Sequence, residues 1–454
     1  MPRGVAGFDF APSDRLNVRN ADGFVHLGDL SLRVRAVGTD RWISVATYAK
    51  RAPVRHLSTG ARRGVLTSDD LAPTLPASFP LRVTRDWTVA GGRLGLAFTV
   101  TNPGRVPVEI GALGIPMPFN NIITDRSLEE AHARCSFSDP YIGEDAGFVR
   151  VTRLSGTGPT MVVTPIGRTP LEAWRLVREP MAPNQVFEGM MEWTVHTRAY
   201  EGEWTGVTPW NAPTGVVLRP GETRRYGVRF QPSPSIRAIE DTLVAVGRPV
   251  AVGLPGYVVP MDGEGRLFLK YGSRVQSLDV APKGALEWRP NAEGRLGWRG
   301  YTLRGKAWGR ARLTVTYADG TRQTVSYAVI KPAAEAVADL GRFLTTKAWF
   351  TDPKDPFGRA PSAISYDHEA DAQVTQESRV WIAGLGDEGG SGNWLALAMK
   401  EFGQPVPDEV AKLEAFVDGV LWGTLQFKDG PDKFGVRKSV FFYDPARLPE
   451  YPYD

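Results

Sequence analysis

Alternation of apolar and polar positions dominates the first three-quarters of the sequence. Up to about Ile330, short alternating runs are separated by Gly, Pro, Asn and Asp, a pattern typical of strands and turns. Residues 94–101 form one such run, and residues 313–330 predict a hairpin with its turn at 319–320. Many short strands at this spacing predict a β-sandwich domain over residues 1–330.

The hydrophobic period changes from two residues to three or four just after the last predicted strand. Apolar residues then recur at helical spacing to about Phe350, and Pro332 stands where a first helical turn tolerates proline. Residues 351–358 contain two prolines and several turn-forming residues, so the helix is expected to end before them. Residues 331–365 are therefore predicted to be a linker helix and loop.

The rest of the chain, residues 366–454, has the composition of helices joined by short polar loops. The predicted fold class is thus multi-domain, with a β-sandwich first and part of an α-helical domain after the linker. The predicted helices span residues 367–384, residues 394–402 behind an N-cap at Asn393, and residues 409–426 behind an N-cap at Asp408.

Composition narrows the functional classes. The 454 residues are 42% hydrophobic and 23% charged, as in a soluble globular protein with more than one domain. The net charge of +4 comes from scattered basic residues rather than a basic stripe, so no nucleic-acid partner is expected. One cysteine, Cys135, and five histidines without ligand-like spacing predict neither a disulfide scaffold nor a metal site or other cofactor.

Targeting signals are weak in this sequence. No run approaches the ~18 consecutive apolar residues of a membrane span, and no apolar segment follows the first residues. A cytoplasmic protein fits this pattern, and so does an exported protein whose signal peptide has been removed. Because few thiols suit export, a periplasmic or secreted location is the expectation.

One loop combines carboxylates, glycines and indoles. Glycines let backbone approach a ligand, carboxylates accept hydrogen bonds from hydroxyls, and indole faces stack on sugar rings, so the loop suits a carbohydrate. A solvent-exposed helix connection with its tryptophans in the core explains the pattern equally well. The candidate catalytic residues are Asp387 and Glu388, and the candidate substrate-binding residues beside them are Trp381, Ser391, Asn393 and Trp394.

Two other segments are candidate parts of a binding site. Tyr366, His368 and Asp371 open a predicted helix, although acidic residues in a first helical turn ordinarily just complement the helix dipole. Residues 192–211 are predicted to form a sandwich loop that reaches over a neighbouring cleft. Tryptophans at such positions more often lie in the core. The candidates in this second segment are Glu203, Trp204 and Trp210.

Several short motifs carry a family resemblance. They are residues 101–103, 110–119, 172–174 and 253–257, with Tyr366-Asp367 and Asp387-Glu388-Gly-Gly. The set resembles an uncharacterised bacterial and fungal family of the six-hairpin glycosidase-like kind, over almost the whole chain. The resemblance implies a galactose-mutarotase-like sandwich, a helical linker and an (α/α)6 toroid.

The length of the helical part departs from that resemblance. Twelve helices with their connections need on the order of 240 residues, whereas Asp367 to Asp454 supplies 88. The expectation is therefore a truncated or split protein whose partner is a missing C-terminal half.

Taken with its motifs, the resemblance implies a glycoside hydrolase that acts on an oligo- or polysaccharide. Asp387 or Glu388 would supply one of two carboxyl groups, as general acid or as base or nucleophile. A non-catalytic carbohydrate-binding or structural module is the alternative from another class. A polysaccharide lyase is a third possibility, which Tyr366 and His368 keep open.

Overall fold

The chain divides into two compact units. The computed structural model describes residues 4–5, 8–9, 25–59, 62–123, 126–177, 190–292, 294, 296–355, 358–375, 380–381, 390–436 and 440–441. The first unit comprises Met1–Val259 and Glu264–Val329, and the second comprises Pro260–Gly263 and Ile330–Asp454. Most of the first unit is antiparallel sheet, and the longer helices belong to the second.

A sandwich of two antiparallel sheets makes up the larger part of the first unit. The eight-stranded sheet has the order β10-β11-β12-β16-β8-β7-β6-β5, and the six-stranded sheet has the order β13-β14-β9-β3-β4 with β15 beside β9. Two short helices accompany them, α1 (Leu128–Arg134) and α2 (Ile239–Ala245). The strands are β1 (Gly4–Val5), β2 (Phe8–Asp9), β3 (Ser31–Ala36), β4 (Ile43–Ala46), β5 (Arg55–Leu57), β6 (Val65–Asp70), β7 (Arg82–Ala90), β8 (Arg93–Thr101), β9 (Val108–Pro116), β10 (Ser136–Tyr141), β11 (Phe148–Arg153), β12 (Thr160–Pro165), β13 (Ala173–Leu176), β14 (Met191–His196), β15 (Val216–Leu218) and β16 (Thr223–Ser233).

The core of this sandwich follows from alternation along the strands. In β8, Leu94, Leu96, Phe98 and Val100 are all buried and belong to one core cluster. Side chains of the six-stranded sheet, such as Trp193, belong to the same cluster, so the two sheets bury their facing sides together. The predicted strand at residues 94–101 is confirmed.

A smaller sandwich of two four-stranded antiparallel sheets follows. The sheet orders are β17-β19-β22-β21 and β18-β24-β23-β20. The predicted hairpin is confirmed as β23 and β24, with Gly320 in the left-handed region at φ 82° in the turn. The strands are β17 (Val250–Leu254), β18 (Val258–Pro260), β19 (Gly265–Lys270), β20 (Val275–Ala281), β21 (Leu286–Asn291), β22 (Arg299–Gly305), β23 (Gly309–Tyr317) and β24 (Arg322–Ile330).

The second unit mixes helices with short strand pairs. Helices α3, α4 and α5 contact one another, and α5 continues as a wide π-type helix over Val417–Leu425. The paired strands are β25 with β26, β27 with β28, and β29 with β30. The elements are α3 (Ala333–Thr345), β25 (Trp349–Phe350), β26 (Ser362–Ala363), β27 (Tyr366–Asp367), β28 (Ala372–Gln373), β29 (Val380–Trp381), α4 (Gly390–Gly403), α5 (Pro407–Phe416) and β30 (Val440–Phe441).

The linker helix is shorter than predicted. It ends at Thr345 instead of about Phe350. The Thr345 hydroxyl donates to Gly341 O (2.8 Å) and the Thr346 hydroxyl to Arg342 O (2.6 Å), so side chains take over carbonyls at the helix end. Phe350 then pairs with Ser362 in a strand.

The helix predicted over residues 367–384 is wrong in the part that the structure describes. The Asp367 carboxylate accepts hydrogen bonds from the backbone N–H groups of Glu369 (2.8 Å) and Ala370 (3.0 Å). Asp371 then adopts a left-handed backbone, with φ 50°, and β28 returns antiparallel to β27. A short Asp side chain offers the backbone an alternative to the helical bond pattern, and here that alternative prevails.

The later helices form, but both predicted N-caps are wrong. Helix α4 begins at Gly390, so Asn393 lies inside it. Helix α5 begins at Pro407, whose fixed φ suits a first turn, and Asp408 is an acidic residue of that turn. The helical stretch that α5 begins ends at Leu425, within one residue of the prediction. None of the described helices is long and apolar enough to cross a membrane.

Candidate functional site

A short hairpin in the second unit brings three predicted site residues together. Tyr366 lies in β27, His368 lies in the turn, and Asp371 ends the turn in its left-handed conformation. The Tyr366 hydroxyl donates to Asp371 Oδ1 at 2.6 Å, so a hydrogen bond between side chains links the two ends of the turn. The rings of Tyr366 and His368 lie 5.4 Å apart, edge to face.

Two residues from the end of α3 complete this group. Lys347 Nζ lies 3.3 Å from both carboxylate oxygens of Asp371. The Phe343 ring stacks on His368 at 5.1 Å and meets Tyr366 edge-on at 5.2 Å. We call Phe343, Lys347, Tyr366, His368 and Asp371 the hairpin site. The site presents four polar groups at the surface: the Lys347 ammonium, the Tyr366 phenol, the His368 imidazole and the Asp371 carboxylate. The Phe343 ring packs against the phenol and the imidazole.

Asp371, Tyr366 and Lys347 of the hairpin site shift one another's pKa values. The hydrogen bonds from Tyr366 and then Lys347 lower the pKa of Asp371. In return, the bond to Asp371 raises the pKa of Tyr366, and the same carboxylate raises the pKa of Lys347. The phenol therefore keeps its proton and the ammonium keeps its charge over a wider pH range than either group would alone.

Backbone contacts hold the hairpin against the end of α3. The Gln373 amide donates to Lys347 O (3.0 Å) and Trp349 O (2.9 Å), which fixes the backbone that carries Lys347. On the other side, buried Arg359 donates from Nη1 to Thr375 O at 2.8 Å. Arg359 is itself paired with buried Asp355 through Nη2 and Oδ1 at 2.7 Å. The site thus rests on a rigid frame although its reactive groups are exposed.

Two of the residues predicted from the glycine-rich loop make contacts within the second unit. The Asn393 amide donates to the backbone oxygen of Ile364 at 2.9 Å, just before β27. Trp394 is half-buried and stacks on Phe416 at 5.4 Å, within a hydrophobic cluster of the second unit. For Trp394 the core interpretation is the one that the structure supports.

The other residues of that loop are less fully described. Trp381 belongs to β29, which pairs with β30 through Trp381 and Val440. Ser391 lies in the first turn of α4. The two predicted catalytic carboxylates, Asp387 and Glu388, lie outside the described residues. Their role remains a prediction.

The third predicted segment lies in the first unit. Residues 192–196 belong to β14 and are not part of a loop as predicted. Glu203 contacts Arg33, and the Trp204 ring stacks on Tyr200 at 5.8 Å. Tyr200 is in turn covered by the guanidinium of Arg175 at 3.4 Å. The pocket lined by Arg33, Arg175 and Tyr200 has a volume of only ≈ 10 Å³, and neither Glu203 nor Trp204 lines it.

Trp210 is separate from Glu203 and Trp204 in its contacts. Its ring is 48% exposed, and the Arg310 guanidinium lies 3.9 Å above it. Arg312 donates to Trp210 O at 3.0 Å, so the segment is tied to β23 of the smaller sandwich. None of the described contacts of Trp210 is with Glu203 or Trp204.

Sequence reasoning missed Lys347 and Phe343. Both were assigned to a continuous linker helix, which hid the return of the chain at β25. A lysine directly after two threonines and before an aromatic pair, at 345–350, is the signal that was available. In the described part of the chain, no group of three or more His, Cys, Asp or Glu side chains is able to hold a metal ion.

The fold resembles that of one solved polysaccharide lyase. A polysaccharide lyase, BACCELL_00875, superposes with a TM-score of 0.67 at 15% identity, over 90% of this chain and 55% of the lyase. The chain therefore spans about half the length of that lyase, and at this identity the likeness shows the fold alone. A putative aldose 1-epimerase from Escherichia coli K12 gives a TM-score of 0.23 at 10% identity, over 40% of this chain and 69% of the other, which carries no argument.

Sequence comparison gives the family without an activity. No curated protein matches the sequence. A family model described as a family of unknown function, DUF5695, matches residues 1–454. The resemblance to a six-hairpin glycosidase-like family is not part of that description and stays a prediction. Because the match extends over the whole sequence, the chain belongs to the DUF5695 family.

Proposed function

We propose that this protein is a carbohydrate-active enzyme that cleaves a uronate-containing polysaccharide by β-elimination at the hairpin site. One observation carries the proposal: Lys347, Tyr366 and His368 present a cation, a protonated phenol and an imidazole around a single exposed surface. The fold likeness to a polysaccharide lyase over 90% of the chain supports the same class of reaction.

Lys347 is the group for the uronate carboxylate. β-Elimination removes the proton on the carbon beside that carboxylate, and a nearby cation stabilises the negative charge that develops there. Because Asp371 raises the pKa of Lys347, the ammonium keeps its charge at neutral and mildly basic pH. The Asp371 carboxylate is also available to accept a hydrogen bond from a sugar hydroxyl.

Tyr366 suits the role of general acid. Its raised pKa keeps the phenol protonated, so it has a proton to give to the departing glycosidic oxygen. His368 is the candidate base, with its ring held by stacking on Phe343. In this scheme His368 takes the proton from C5, the electron pair forms the C4–C5 double bond, the C4–O bond breaks and Tyr366 protonates the leaving oxygen. Solvent then restores both groups, and no water is added to the sugar.

Glycoside hydrolysis is the second candidate. It rests on the carboxylates predicted at Asp387 and Glu388, together with the exposed Asp371 carboxylate on the hairpin. Hydrolysis needs two opposed carboxyl groups and adds one water across the glycosidic bond. The described residues favour elimination because the groups gathered at the hairpin site are a cation, a phenol and an imidazole with a single carboxylate.

The proposal includes the (α/α)6 toroid as the setting of the site. Leu395, Met399 and Phe402 recur at helical spacing along α4 and are 49%, 70% and 95% exposed. An apolar helix stripe of this kind is typical of a helix that packs against another helix. Further toroid helices would cover it.

The test is a panel of polysaccharides followed by product mass and ultraviolet absorbance. Polygalacturonate, alginate, glucuronan and hyaluronan are the uronate members, and a neutral glucan and mannan are the controls. The proposal predicts that at least one uronate polymer yields a product with a conjugated double bond, and that the neutral polymers yield none. Products that have gained water would support hydrolysis. If no polymer yields a product, both enzymatic hypotheses are contradicted.

A further inference from the structure

A cavity of ≈ 830 Å³ lies in the first unit beside β5, β6 and β7, at one end of the eight-stranded sheet. Its volume is within the range of small-molecule sites, roughly 300–1,000 Å³. The loop before β3, the loop between β4 and β5 and the loop between β6 and β7 complete its wall. None of the residues in the hairpin site lines it.

A row of three titratable side chains crosses the wall of this cavity. Strand register sets His56 opposite Asp69, and Asp69 opposite Arg85. Asp69 Oδ1 lies 2.7 Å from His56 Nδ1, and its Oδ2 accepts from Arg85 Nη2 at 2.7 Å. Although burial raises it, Arg85 and His56 together hold the pKa of Asp69 below its ordinary value.

A second ion pair faces the same cavity from the loops. Asp29 accepts from Arg51 with both oxygens, at 2.8 and 2.7 Å, and also from the Thr47 hydroxyl at 2.8 Å. Arg85 joins the two pairs by donating to Gly28 O at 2.9 Å. Gly28 has φ 100°, and a Cβ there would stand 3.1 Å from the Trp87 ring, so the close approach requires glycine.

The balance of charge in this wall selects a neutral ligand. Asp29 and Asp69 are 3% and 2% exposed, and each is matched by one arginine, so the wall offers no uncompensated charge to a metal ion or an anion. Hydrogen-bonding capacity remains. Among the described contacts, Arg85 uses three of its five N–H groups, whereas Asp29 and Asp69 each already take part in four hydrogen bonds.

Another part of the cavity wall is apolar. Pro53 and Val54 line the cavity with exposed or partly exposed apolar atoms, and the buried core side chains of Leu27, Leu71 and Trp87 lie behind them. A sugar ring has hydroxyl groups at its edge and apolar C–H faces, so it matches a cavity with polar pairs on one side and apolar side chains on the other.

We infer that this cavity is a binding site for neutral sugar residues, separate in its residues from the hairpin site. Arg85 and His56, which buried Asp69 holds in place, bind ring hydroxyls, and the apolar side chains of Pro53 and Val54 receive a ring face. Such a site would let a polysaccharide-processing enzyme bind its polymer, or a neighbouring glycan, at a second position. The inference does not depend on the elimination chemistry.

The test measures binding of neutral tetrasaccharides to the full chain by isothermal titration calorimetry, with cellotetraose, xylotetraose and mannotetraose as probes and tetragalacturonate as the charged comparison. Ala52→Trp places an indole into the cavity, because Ala52 lines it. Ala49→Trp is the matched control, since Ala49 is exposed on the same connection and does not line it. Thermal unfolding of both variants checks that they are folded.

The expected result is saturable binding of at least one neutral probe, weakened about tenfold or more by Ala52→Trp and unchanged by Ala49→Trp. Binding that Ala52→Trp leaves unchanged, binding of tetragalacturonate alone, or no binding of any probe would overturn the inference. If Ala52→Trp does not fold, His56→Ala provides the second variant, since it removes a hydrogen bond from the exposed rim and is expected to weaken binding only partly. Because binding is measured without turnover, absence of lyase activity would not alter either outcome.

Discussion

Tyr366 and Asp371 share a 2.6 Å hydrogen bond across the turn of one short hairpin, with the phenol as donor. The same carboxylate lies 3.3 Å from Lys347 Nζ. One exposed carboxylate therefore governs the protonation of both groups that the proposed reaction needs in their protonated forms.

The pH dependence of activity follows from this relationship. Activity is lost as pH rises through the pKa values of Tyr366 and Lys347, and Asp371 raises both. Asp371→Asn removes the charge while keeping a residue that tolerates a left-handed backbone. We expect the basic limb of the kcat profile to move to lower pH. A basic limb at the same pH in the variant would show that Asp371 does not set these pKa values.

Lys347 is expected to act by charge. Lys347→Gln should lower kcat/KM on the uronate substrate by about a hundredfold, the usual cost of removing one electrostatic group from a transition state. Lys347→Arg should retain much of the activity. Lys354→Gln is the matched control, because Lys354 is an exposed lysine on the following loop. Equal activity of Lys347→Gln and Lys354→Gln would remove Lys347 from the site.

Trp394 is expected to contribute to stability and not to sugar binding. Trp394→Ala removes a half-buried ring stacked on Phe416 and should lower the free energy of unfolding by about 2–3 kcal/mol. Phe402→Ala in the same helix removes a ring that is 95% exposed and should change it little. Urea unfolding followed by circular dichroism measures both. Undiminished stability of Trp394→Ala, with weakened glycan binding, would restore the ligand-stacking interpretation.

Because of His196, the free energy of unfolding is expected to fall in mild acid. Burial lowers its pKa to about 4, and its ring nitrogens lie 2.9 Å from the Thr214 hydroxyl and 3.1 Å from the Tyr226 hydroxyl. Since the unfolded chain takes up this proton near pH 6.5, the contribution of His196 is present above that pH. It is lost as the pH falls towards about 4, by up to about 3 kcal/mol.

The matched comparison for this effect is His196→Gln. The difference in unfolding free energy between wild type and variant should shrink as the pH falls from 7 to 4. A difference that stays constant over that interval would contradict the buried neutral state of His196.

Local pattern sufficed where side chains alternate between core and surface. The β8 strand and the hairpin of β23 and β24 were predictable because large apolar residues recur at every second position and Gly320 marks the turn. The hairpin site was not predictable in the same way. Asp367 bonding to the turn and the left-handed Asp371 override a composition that reads as helical.

The hairpin site and the cavity of the first unit depend on contacts between residues far apart in the sequence. Lys347 reaches Asp371 only because Gln373 bonds to its backbone oxygen, 26 residues away in the sequence. The cavity of the first unit draws its polar groups from residues between His26 and Trp87, on three loops and three strands, which no local pattern brings together. Tyr366, His368 and Asp371 were identified from sequence because chemistry-bearing residues cluster there, and their role in binding stays a prediction.

The most direct test of elimination at the hairpin site is the mass of the product formed in heavy-oxygen water, by wild type and by Tyr366→Phe. Elimination predicts a product without heavy oxygen, lighter than a hydrolysis product by one water. It also predicts a rate about a hundredfold or more lower for Tyr366→Phe, because the general acid is lost. One heavy oxygen atom in the product, or an unchanged rate in Tyr366→Phe, would contradict the account.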